Sequence, residues 1–128
     1  MIRKNLHLII SVLIVISAAL FYGLFPNVTL PVLFDFEVQS TDLKNVFRAI
    51  LGLYLAFSAL WVLGILKSDF WKMATLSNFI FMIGLVSGRM LSMVLEGIPS
   101  PAFSYGIIGE LILAIFALYQ YRKYKNSI

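Results

Sequence analysis

Four long apolar runs, each interrupted by little more than an isolated polar residue, divide the chain: Leu6 to Leu24, Leu43 to Leu66, Lys72 to Leu95 and Ala102 to Tyr121. Each approaches the roughly 20 residues that a helix needs to cross a bilayer core. The punctuation between them is helical. Gly23 followed by Pro26, and Gly97 followed by Pro99, suit helix ends. Ser40, Thr41 or Asp42 suits the start of the second helix, Ser68 or Asp69 that of the third, and Ser100 before Pro101 that of the fourth. Arg3 and Lys4 ahead of an apolar stretch containing Ser17, Ala18 and Ala19 resemble a secretory signal, but the run continues to Leu24 and is retained as a span. The pattern predicts an all-α protein, an integral membrane four-helix bundle forming a single domain over residues 1–128.

Composition reinforces this division. Of the 128 residues, 61% are hydrophobic and only 12% charged, and the mean hydropathy is +0.95. So small a chain keeps much of its surface in contact with its surroundings, so that much apolar material points to lipid. Arg3, Lys4, Lys67, Lys72, Arg122, Lys123 and Lys125 all fall on one side of a four-span arrangement. The other side carries Asp35, Glu37, Asp42 and Glu96 with Lys44. The excess of basic residues marks the cytoplasmic side and places both termini there, as in a bacterial inner membrane. Phe70, Trp71, Tyr119, Tyr121 and Tyr124 are expected at the inner interface, and Phe21, Tyr22, Phe25, Phe103 and Tyr105 at the outer one.

Several function classes lose ground at this stage. The net charge of +4 does not form a basic run or a basic helix face, so nucleic acid is not an expected partner. With no cysteine there is no disulfide or thiolate chemistry. The one histidine, His7, reads as an interfacial polar residue, since a metal site needs several ligands; no metal and no cofactor are expected. No Ser, His and Asp set, Gly-rich phosphate loop or paired carboxylates on one helix stands out, which leaves an enzyme as the minority reading.

Candidate chemistry resides in the charges inside the runs, each costing about 2.5 to 3.5 kcal/mol at the centre of a span. Counted inward from the outer ends, Arg48, Arg89 and Glu110 all lie roughly 7 to 12 Å deep. Asn45 stands three residues before Arg48 and Ser92 three after Arg89, so the predicted cluster is Asn45, Arg48, Arg89, Ser92 and Glu110 on inward faces. One arginine can pair bidentately with Glu110. The second is left to Asn45, Ser92, Glu96, Asp42, backbone carbonyls or an anionic or lipid-like ligand, unless both arginines snorkel to the rim. A structural clamp ranks ahead of a ligand site, because polar pairs commonly bind membrane helices together.

Other features are read more plainly. Gly84, Gly88 and Ser92 on the third run, Gly106, Glu110 and Ala114 on the fourth, and Gly52 on the second predict close helix seams, within one chain in preference to a homo-oligomer. Asn78 is expected to make one interhelical hydrogen bond. The apolar connection from Phe25 to Gln39 reads as a hydrophobic lid over helix ends, with a gate or partner-docking segment as the alternative. Asn27-Val28-Thr29 matches a glycosylation sequon and carries no weight.

Tyr22-Gly-Leu-Phe-Pro, Ser40-Thr-Asp-Leu-Lys-Asn-Val-Phe-Arg-Ala, Gly52-Leu-Tyr, Gly88-Arg, Gly97-Ile-Pro-Ser-Pro and Glu110 resemble the bacterial domain-of-unknown-function 4345 family over nearly the whole chain. The resemblance implies a small four-helix integral membrane protein and names no substrate. More faintly, the Arg48 segment and Gly84 to Pro101 are similar to the small endoplasmic-reticulum scaffold proteins of fungal ergosterol synthesis, in which a histidine stands near the position of Arg89. The expected function is therefore a non-catalytic scaffold or accessory protein, in contact with membrane lipid and a possible protein partner; the alternative is a binder or transporter of a small anionic or lipid-like ligand.

Overall fold

The computed structural model describes residues 2–128, which form five helices and, among the described residues, no strand. They are α1 (Ile2–Gly23), α2 (Pro26–Leu33), α3 (Thr41–Leu66), α4 (Ser68–Glu96) and α5 (Pro101–Tyr124). All but α2 are long and apolar enough to cross a membrane. The Ser40 side chain caps α3 by accepting from the Leu43 backbone N–H at 3.1 Å. Pro101 opens α5, where its missing N–H costs nothing. Gly97 closes α4 with φ of 94°, a left-handed conformation suited to glycine.

The long helices alternate in direction, and their contacts fix which ends meet. Asn5 donates to the Ile65 carbonyl, Gln120 to the Arg3 carbonyl, and His7 Nε2 lies 3.0 Å from Thr75 Oγ1. The start of α1, the end of α3, the start of α4 and the end of α5 therefore share one end of the molecule. This basic end carries Arg3, Lys4, Lys67, Lys72, Arg122, Lys123 and Lys125, whereas Asp35, Glu37, Asp42 and Glu96 lie toward the opposite, acidic end. Neighbours run α1, α3, α4, α5, with α1 meeting α5 more sparsely.

The connection after α1 departs from the expectation of four helices only, since it contains the fifth. Pro26 at the first position pre-sets the helical φ, and Thr29 donates to the Phe21 and Phe25 carbonyls. Leu30, Phe34 and Val38 are buried against Phe21, Tyr22, Leu43, Phe47 and Phe103, so this segment covers the acidic ends of α1, α3 and α5.

The main core runs along α1 and includes Leu8, Val15, Ala19, Trp61, Trp71, Ala74, Met82 and Ala114. Its basic half also holds a polar layer that the apolar runs conceal. His7, Ser11, Ser58, Thr75 and Asn78 are all buried, at 0–1% exposure. His7 is enclosed by protein: it stands in the second turn of α1, beside the Trp71 and Phe116 rings. Asn78 makes no interhelical hydrogen bond: neither amide atom has a partner. Trp71 is likewise buried at 0% exposure, with Lys4 Nζ 5.9 Å from its ring centroid.

The small residues also behave differently from expectation. A Cβ added at Gly52, Gly84, Gly88 or Gly106 would meet nothing within 4 Å, so these positions are not tight seams. The close approaches are at Gly23, where a Cβ would overlap Leu51, and at Gly64, where it would overlap Ala74. Close packing depends on what stands opposite, which spacing within one helix does not show.

Candidate functional site

Of the five residues expected to cluster, the structure joins two. Arg89, on the seventh turn of α4, and Glu110, on the third turn of α5, meet because the helices run antiparallel and both residues lie on the acidic half. Arg89 Nε donates to Glu110 Oε1 and Oε2 at 3.1 and 3.0 Å, and Nη2 lies 3.0 Å from Oε1. Their side chains are only 21% and 14% exposed. The guanidinium carbon also lies 5.2 Å from the centroid of the Phe103 ring, which stacks on Phe34 at 4.0 Å. Arg89 is thus held by a carboxylate and an aromatic face.

The other three make no hydrogen bond to the pair, although Ser92 shares a cavity wall with Arg89. Arg48 is exposed and donates to the Leu24 carbonyl at 3.4 Å, which ties α3 to the end of α1. Asn45 is exposed on the same helix, and the inward face of that segment is taken by Phe47, Ile50 and Tyr54. Ser92 is exposed and donates to Glu96 on its own helix at 3.2 Å. Equal depth brought Arg89 and Glu110 together; the angular position of Arg48 on α3 carried it away.

Three cavities adjoin the pair, and Arg89 lies in the wall of each. One of about 300 Å³ lies between α3 and α4 beside Phe47, Tyr54, Gly84 and Gly88. Another of about 230 Å³ separates the acidic halves of α1 and α5, between Ile14, Ala18, Gly106 and Gly109, with Glu110 also in its wall. A third, of about 240 Å³, is bordered by Ser92, Pro99 and Phe103. Tyr22 and Tyr54, in T-shaped contact at 6.2 Å, stand between the first two. Gly84, Gly88 and Gly106, read as seams, thus line space, and the two tyrosines and Phe103 belong to the site although sequence placed Tyr22 and Phe103 only at the interface. Gly106 and Gly109 flanking Glu110 were the available signal.

Chemically, the pair is neutral overall and already satisfied along one edge. It can hold α4 to α5, and it presents both donors and acceptors to the adjoining space. Among the described residues, no group of three metal-ligating side chains comes together. A family model described as Domain of unknown function (DUF4345) matches residues 4–121. No curated protein and no solved structure matches the chain.

Proposed function

The chain belongs to the domain-of-unknown-function 4345 family, and on that footing we propose that it is a small non-catalytic integral membrane protein with a scaffold or accessory role, its spans locked by the Arg89–Glu110 pair. Four apolar helices of 22 to 29 residues, with basic residues gathered at one end, support four crossings of a bacterial cytoplasmic membrane with both termini inside.

One observation carries the accessory role: Arg89 and Glu110, two of the three charges set deep within the apolar lengths, are committed to each other. An arginine whose Nε and Nη2 already face a carboxylate is a poor receptor for a free anion. What remains is a link between α4 and α5, in surroundings where an unpaired charge is costly.

Single replacement tests this. Arg89→Met and Glu110→Gln each leave one partner buried alone and are expected to lower stability in detergent by about 3 kcal/mol. The double variant Arg89→Met/Glu110→Leu, which leaves no orphan charge, is expected to recover most of that loss. Single variants as stable as the parent would contradict the clamp.

A further inference from the structure

The cleft between α1 and α5 has a wall chemistry of its own. The direct side-chain links between these two helices, Gln120 to the Arg3 carbonyl and His7 against Phe116, lie toward the basic end. Toward the acidic end the helices are separated by the 230 Å³ cavity. An apolar cavity of about 150 Å³ already admits a benzene-sized molecule. Its deep end is apolar, formed by Val15, Met82 and Leu113, and its other end is the ion pair. Ile14 and Gly109 belong both to its wall and to the exposed surface, so the cleft opens sideways between the helices.

We infer that this cleft is a binding site for a lipid-like molecule with an uncharged, oxygen-bearing head, the head against Arg89 and Glu110 and the apolar body toward Val15 and Leu113. This rests on the spanning arrangement proposed above, which turns the sideways opening toward the acyl chains. The charge of the head follows from the pair. Glu110 bonds to Nε and Nη2 of Arg89, two of the three guanidinium nitrogens, and Tyr22 shares the cleft wall with them. Spare donors on the guanidinium and spare lone pairs on the carboxylate suit a hydroxyl, which both gives and accepts a hydrogen bond, or a carbonyl, which accepts one. A phosphate or carboxylate head would face Glu110 at close range, and an ammonium head would face Arg89, in a low-dielectric setting that magnifies either repulsion. The space itself is created by missing side chains: a Cβ at Gly106 or Gly109 meets nothing within 4 Å.

The test is photolabelling with a diazirine-bearing decanol, on the full chain in phosphatidylcholine vesicles, with labelled peptides mapped. Labels are expected on α1 and α5 around Ile14 to Tyr22 and Ala102 to Leu113. Unlabelled decanol should compete at a lower membrane mole fraction than decyl phosphate. Gly106→Leu and, separately, Gly109→Leu fill the cleft while raising helix propensity, and each should lower labelling about tenfold, equivalent to roughly 1.4 kcal/mol. Gly52→Leu, in open space on α3 and outside the cleft, should leave it unchanged. Flotation of the same samples separates the two ideas: protein that does not float with the vesicles overturns the spanning arrangement and the cleft with it. Floating protein that labels equally in all variants, or for which decyl phosphate competes as well as decanol, overturns the cleft alone.

Discussion

Arg48 and Arg89 are the same residue type at similar depth, yet their surroundings give them different weight. Arg89 is enclosed by Glu110 and Phe103, whereas Arg48 is exposed and bonded to one carbonyl at the upper limit of distance. Arg48→Met should change thermal stability in detergent by roughly 0.5 kcal/mol or less, far below the expected effect of Arg89→Met. A loss as large as that of Arg89→Met would show Arg48 to be a second clamp. The buried His7–Thr75 contact supplies a sharper case, because His7 Nδ1 already lacks a partner. Thr75→Val preserves shape and strips Nε2 of its hydrogen-bond partner, and should cost about 1 to 3 kcal/mol, read as a fall in melting temperature. Depth along a helix was legible in the sequence and identified Arg89 and Glu110. Angular position was not, and it separated Arg48 and Asn45 from them.

Helices are where sequence reading was most nearly complete. The expected spans 6–24, 43–66, 72–95 and 102–121 each lie within, or one residue beyond, α1, α3, α4 and α5, because runs of this length and apolarity have few alternatives in lipid. The exception, α2, is eight residues long and contains Pro31, so neither length nor periodicity announced it. It forms because Pro26 starts it and Leu30, Phe34 and Val38 find a shared apolar pocket, a tertiary cause. The polar layer was partly legible, in His7 and Ser11 four apart on α1 and Thr75 and Asn78 three apart on α4, spacings that place each pair on one helix face. Glycines give the complementary lesson, since their effect is set by the facing helix. Gly64→Val should destabilise, because a side chain there strikes Ala74, while Gly52→Ala should be neutral or stabilise by up to about 1 kcal/mol. Thermal unfolding of the two variants checks this, and equal effects would contradict the packing of α3 against α4.

At the scale of the molecule, the architecture separates two tasks between its halves. The basic half is closely joined, with α1 held to α3, α4 and α5 through Asn5, His7 and Gln120. The acidic half is looser: one ion pair, an aromatic cover from α2 and its flanking residues, and cavities that converge on Arg89. The proposed role depends on the four long helices crossing a bilayer with the basic end inside. The chain contains no cysteine, so one introduced residue is a unique reporter. In intact cells, Gln39→Cys should react with a membrane-impermeant maleimide, whereas Ser127→Cys should react only after the membrane is opened. Reaction of Ser127→Cys from outside, or of both from the same side, would contradict the account.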